Sequence, residues 1–72
     1  MRKHTAYPYT VVYSKRFTAG LLQGRLYHDS LNFADWASAD QFSTLCRSGH
    51  VFHSCCDSST YVAEDCSGPI AV

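Results

Sequence analysis

The chain has 72 residues, enough for one small domain, and its 46% hydrophobic and 17% charged residues exclude an intrinsically disordered polymer. Ten aromatics (five Tyr, four Phe, one Trp) supply apolar area for a compact core. The formal net charge is zero, which excludes a DNA mimic and removes the basic field that drives non-specific nucleic-acid binding.

The charge is unevenly placed. Residues 1–28 carry Arg2, Lys3, Lys15, Arg16 and Arg25 and no carboxylate, whereas residues 29–72 carry Arg47 against Asp29, Asp35, Asp40, Asp57, Glu64 and Asp65. The plainer reading is two differently charged ends that fold against each other; the sharper one is a two-signed docking surface. No segment approaches the roughly 20 apolar residues of a membrane span. The basic N-terminus lacks the apolar core of a signal peptide, so the expected location is the inside of a cell, with cysteines kept as thiols.

Residues 9–18 alternate. Tyr9, Val11, Tyr13 and Phe17 share one face and Thr10, Ser14, Arg16 and Thr18 the other, with Val12 the apolar exception. That period of two predicts a half-buried strand. Gly20 and Gly24 then bound a turn that holds the adjacent Leu21 and Leu22. Residues 25–34 predict a second strand with Tyr27, Leu31 and Phe33 inward and Asp29 as a misfit, forming an antiparallel hairpin with the first.

The clearest helix signal spans 38–48. Ala39, Phe42, Leu45 and Cys46 fall on one face. Ser38 with Gln41 reads as a capping box, Asp40 and Arg47 complement the helix dipole, and Gly49 is placed to stop the helix. Trp36 is expected before the cap, packed over the sheet edge. Residues 50–56 predict a short strand with His53 and Cys55 on one face and Cys56 on the other. Asp57-Ser58-Ser59 is turn chemistry, and 60–63 predicts a returning strand. Residues 1–6 and 64–72 are expected to be loose termini. The fold class is therefore α+β: a single domain, 1–72, of order ββαβ(β), with one helix on one face of a small antiparallel sheet.

Cys46, His50, His53, Cys55, Cys56 and Cys66 are competent zinc ligands, so a small zinc-stabilised binding module is one reading of the C-terminal end. Their spacing matches no standard finger or knuckle. Alternation along a 50–56 strand and the core position of Cys46 keep them from one plane, so no metal or cofactor is expected. There is no C-x-x-C motif, and opposed strand faces argue against a disulfide between Cys55 and Cys56. A Cys–His nucleophile lacks an orienting carboxylate and an oxyanion site, and neither Gly20 nor Gly24 builds a phosphate loop. No enzymatic activity is expected. Tyr7, Tyr9, Tyr13 and Phe17 interleaved with Lys15 and Arg16 suggest a base-stacking surface, but Tyr9, Tyr13 and Phe17 lie on the face the helix must cover. Direct nucleic-acid binding is not expected either.

Residues 9–24, YTVVYSKRFTAGLLQG, followed by Ser30, Phe33 and the capped helix with Ala39 and Phe42, form a pattern that resembles small accessory proteins of bacteriophages and prophages. It covers about residues 7–46. The resemblance implies a role more than a chemistry, because such proteins often bind and block a host protein, anti-CRISPR proteins among them. It implies a non-enzymatic inhibitor that occludes a host defence protein such as a Cas protein or CRISPR ribonucleoprotein complex. The expected contact residues are Lys15, Arg16, Leu21, Leu22, Arg25, Tyr27 and Trp36, since aromatic and Arg residues dominate binding hot spots. A structural or assembly protein of a phage particle is a further alternative. The edge of so small a sheet also permits dimerisation.

Overall fold

The computed structural model describes residues 6–72. The chain forms β1 (Tyr9–Ala19), β2 (Leu26–Phe33), α1 (Trp36–Arg47), β3 (Val51–His53), β4 (Thr60–Glu64) and β5 (Ile70–Ala71). This is the expected α+β class. One antiparallel sheet runs in the order β2-β1-β4-β3, and β5 pairs with β1. Among the described residues, no helix is long and apolar enough to cross a membrane.

β1 is the axis of the sheet. Along one side it pairs with β2 from Tyr9↔Phe33 to Arg16↔Leu26. Along the other it pairs with β4 over Ser14–Ala19, with a register shift between Phe17 and Ala19, and with β5 at Tyr9 and Thr10. Cross-strand partners share a face. Tyr9, Val11, Tyr13, Lys15 and Phe17 of β1 therefore stand with Tyr27, Asp29, Leu31 and Phe33 of β2 and with Tyr61 and Ala63 of β4.

α1 packs on that face. Val11, Tyr13, Ala39, Phe42, Cys46 and Ala63 form the buried core. Phe42 is its centre, with its ring centroid 5.1 Å from Tyr13, 5.6 Å from Phe33 and 5.4 Å from Phe52. The opposite face is open and crossed by polar pairs: Thr10 Oγ1 and Asn32 Oδ1 at 2.8 Å, Arg16 Nε and Glu64 Oε2 at 3.1 Å, and Thr18 Oγ1 and Thr60 Oγ1 at 2.7 Å.

Four local expectations are corrected. The helix starts two residues earlier than its periodicity suggested, because Asp35 is the N-cap. Its carboxylate accepts the Ser38 N–H at 3.1 Å and the Ser38 hydroxyl at 2.8 Å. An Asp caps as well as a Ser, and Asp35 turns Ser38 from cap into capped residue. Asp40 accordingly falls outside the first turn, while Arg47 keeps its place in the last. The C-terminal stop is as expected. Gly49, at φ 77°, donates to the Cys46 carbonyl, and His50 donates to that of Leu45, the two bonds of a Schellman motif.

Trp36 is the first helical residue and is 54% exposed, not packed over the sheet. The strand expected over 50–56 ends at His53, and Cys55, Cys56 and Asp57 form a turn. The C-terminal tail is docked. Ser67 donates its N–H to the Val12 carbonyl, its hydroxyl oxygen accepts the Val12 N–H, and Val72 N–H reaches the Pro8 carbonyl at 2.7 Å. These contacts occupy the part of the β1 edge that the shorter β4 leaves open, where unpaired backbone groups would otherwise need partners. The expected loose N-terminus lies, apart from Ala6, outside the described residues.

Candidate functional site: an aromatic surface beyond the helix

The buried core under the helix includes neither Phe17 nor Tyr27. Phe17 pairs its ring with Tyr27 at 5.7 Å and Tyr61 at 6.0 Å, not with the α1 ring of Phe42. The sequence pattern placed Phe17 beneath the helix because strand alternation reports the face, not how far along the strand a helix reaches. Tyr61 stacks on Phe52 at 5.1 Å with 18° between the rings, and His50 meets Phe52 edge-on at 4.8 Å. A row of rings, Tyr27–Phe17–Tyr61–Phe52, thus runs across all four main strands.

Lys15 sits in the middle of this apolar row. Its Nζ lies 4.7 Å from the Tyr61 ring centroid and 3.0 Å from Asp29 Oδ2, a placement that combines cation–π attraction with an ion pair. Asp29, the misfit of the strand pattern, is explained by this partner. Its carboxylate also accepts the Ser30 N–H at 2.8 Å and the Tyr13 hydroxyl at 3.3 Å. The bond from Lys15, followed by that from Ser30, lowers the Asp29 pKa below the ordinary carboxylate value. Burial, reinforced by the charges of Tyr61 and Asp29, raises the Tyr13 phenol well above its usual range. A depression of about 350 Å³ opens between these groups, lined by Lys15, Phe17, Leu22, Tyr27, His28 and Asp29.

The two hairpin turns meet at this end of the molecule. In the β1–β2 turn, Gly24 N–H donates to the Phe17 carbonyl at 2.8 Å and Arg25 N–H to that of Leu22 at 2.9 Å. Leu21 is fully exposed and Leu22 is 37% exposed. In the β3–β4 turn, Ser54 N–H donates to the Ser59 carbonyl, and Asp57 Oδ1 accepts from both the Ser59 N–H and hydroxyl. A cleft of about 290 Å³ between the turns is lined by Leu21, Leu22, Asp57 and Ser59.

The structure thus brings Lys15, Leu22 and Tyr27 into one depression, with Leu21 and the exposed Arg25 on the adjoining turn. It separates the other two expected contact residues from them. Arg16 lies on the open face, paired with Glu64. Trp36 stands after β2, at the end of the hairpin remote from the turn. Sequence reasoning did not single out Phe17 and Tyr61 as half-buried members of this row, Tyr61 also packing against the core. The only sequence signal for them was their β-face pattern, which is shared by core residues.

The metal-competent residues do not converge. Among the described residues, no three or more His, Cys, Asp or Glu side chains are grouped to hold an ion. Cys46 is buried in the core with Cys66 packed against it, and burial together with the Cys66 thiol pushes the Cys46 pKa up to about 12. Cys55 and Cys56 are exposed in the turn, and His53 ends β3.

The open face carries a larger groove of about 560 Å³, lined by Val12, Tyr13, Ser14, His28, Asp29, Ser30 and Asp65. There the buried Ser14 Oγ lies 3.1 Å from His28 Nδ1. Among the described residues, the other His28 nitrogen makes no hydrogen bond to a carboxylate, so the pair lacks the third, orienting group of a nucleophilic triad.

Searches of protein-family models, of curated proteins and of solved structures each return no match to the chain.

Proposed function

We propose that the chain is a non-enzymatic binding protein, encoded by a phage, that occludes a surface of a host defence protein, most concretely a Cas protein or CRISPR complex. The observation that carries the binding reading is the aromatic row Tyr27–Phe17–Tyr61, in which Tyr27 is exposed and Phe17 and Tyr61 are half-buried, with the exposed Leu21 and Leu22 beside it. Exposed apolar and aromatic surface of this kind, rimmed by charge, is typical of interaction sites. The inhibitory role and the class of target rest on the resemblance of residues 7–46 to phage accessory proteins. Lys15 and Asp29 serve this reading as a pre-set polar pair inside the patch, held before any partner arrives.

The test is binding to purified CRISPR effector complexes, measured by interferometry and by inhibition of target cleavage. The wild type is compared with Leu22→Ser and Tyr27→Ala. Loss of an aromatic anchor should weaken binding by about 2 kcal/mol, on the order of 30-fold in Kd. Arg16→Ala and Trp36→Ala, whose side chains lie away from the patch, should bind as wild type does. Equal affinity of all four variants would place the contact elsewhere. Failure of the folded wild type to bind any effector would remove the CRISPR target. Addition of a chelator addresses the zinc module: a fold that loses its melting transition on chelation would favour it, since structural metal binding is folding energy.

A further inference from the structure

The four cysteines fall into two couples of opposite character. Cys46 and Cys66 belong to the core side of the fold. Cys55 and Cys56 are consecutive, exposed, and have their sulfurs 3.1 Å apart. On a strand, neighbouring side chains would point to opposite faces. Here β3 stops at His53, and the turn that follows swings both thiols to the same side. The turn is held at several points. Ser54 N–H bonds Ser59 across the hairpin mouth, Ser54 Oγ accepts the Cys56 N–H, and Asp57 Oδ1 takes both donors of Ser59. These bonds hold the backbone that carries the two adjacent sulfurs.

We propose that Cys55 and Cys56 form a vicinal dithiol site for reversible two-electron oxidation by low-molecular-weight disulfides, of which glutathione disulfide is the representative. One thiol gives its proton to solvent, and the resulting thiolate attacks one sulfur of glutathione disulfide. The glutathione S–S bond breaks, one glutathione thiolate leaves, and a mixed disulfide forms on the protein. The neighbouring cysteine, deprotonated in turn, attacks the protein sulfur of that mixed disulfide and releases the second glutathione thiolate. Two protein thiols and one glutathione disulfide thus become one Cys55–Cys56 disulfide and two glutathione thiols. Proximity favours the second step over capture of another glutathione, because the resolving sulfur is already adjacent. Exposure favours this couple over Cys46 and Cys66, since thiol–disulfide exchange needs an accessible thiolate. The Cys56 thiol is raised above its ordinary pKa by its hydrogen bond with Cys55, so exchange accelerates toward alkaline pH. The site does not depend on the binding reading, although Asp57, next in the chain, lines the cleft with Leu21 and Leu22.

The experiment incubates the folded 72-residue chain with excess glutathione disulfide at neutral and mildly alkaline pH and reads intact mass. The expected product has lost two hydrogens and carries no glutathione, is restored by dithiothreitol, and maps to the peptide containing Cys55 and Cys56. Cys55→Ser and Cys56→Ser should each stop at one stable glutathione adduct. Both substitutions are on exposed turn residues, and circular dichroism confirms the fold of each. As an independent readout, phenylarsine oxide, which needs two adjacent thiols, should bind one per chain and lose that binding in either variant. Stable glutathione adducts on both sulfurs of the wild type would overturn the proposal. So would oxidation of Cys46 with Cys66 ahead of this pair, or no reaction at all.

Discussion

Lys15 and Asp29 stand on adjacent strands with the lysine Nζ 3.0 Å from the carboxylate Oδ2, on the same sheet face as the buried Tyr13. The pair fixes the pH response of this end of the sheet. Asp29 has a lowered pKa in the folded chain, so its contribution to stability is complete above the unfolded value of about 3.9 and is lost as pH falls through the folded value. Asp29→Asn should reduce stability at pH 7 by less than about 1 kcal/mol, because both side chains reach solvent. It should also flatten part of the acid limb below about pH 4. Asp57, whose pKa is lowered by its bonds from Ser59, acts in the same direction on this limb. Thermal melts from pH 7 to pH 2 check both statements, and an unchanged acid limb would deny Asp29 this role.

Ser43 gives a prediction of the opposite sign. It is fully buried between α1 and the sheet, and its hydroxyl is the buried side-chain polar atom without a hydrogen-bond partner among the described residues. An unmatched buried hydroxyl costs about 1–3 kcal/mol, and Ala is the better helix former. Ser43→Ala should therefore raise stability by about 1 kcal/mol or more, seen as a higher urea midpoint at constant slope.

Gly20 is where the two hairpin turns touch. Its φ is +93°, and a Cβ there would lie 3.0 Å from the Ser59 Cβ. Gly24 has a similar φ of +86° but open space around it. Ala at either site pays the left-handed backbone cost of about 1–2 kcal/mol. Gly20→Ala should lose more than Gly24→Ala, because it must also push the Ser54–Ser59 turn away. Equal losses in chemical denaturation would show that the contact between the turns adds nothing.

The docked C-terminus makes a local prediction. Thr10 pairs with Ile70, and the Val72 N–H reaches the Pro8 carbonyl. Ladder alternation then directs the Thr10 N–H toward β5. Deleting residues 70–72 should speed amide exchange at Thr10 by tenfold or more, corresponding to about 1.4 kcal/mol of lost protection. Tyr13, whose backbone groups face β2, should exchange as before. Hydrogen exchange read residue by residue separates the two.

Much of this fold was legible because its signals are local. The alternation through Tyr9, Val11, Tyr13 and Phe17, the Gly20 and Gly24 punctuation, and the helical face of Ala39, Phe42 and Cys46 depend only on neighbours in the chain. They determined the α+β class and the element order. The tertiary structure decided what depends on residues far apart. Asp29 reads as an error in its strand until β1 brings Lys15 beside it. The tail reads as loose until β4, too short to cover β1, leaves an edge for Ile70 and Ala71. Phe17 has the pattern of a core residue, but the core cluster stops short of it, so the same side chain stays half-buried in an aromatic row. Cys55 and Cys56 are opposed if the strand continues and adjacent if it turns. Periodicity reports which way a side chain faces. It does not report what another segment, folded over it, leaves uncovered, and here the candidate sites lie in those uncovered places.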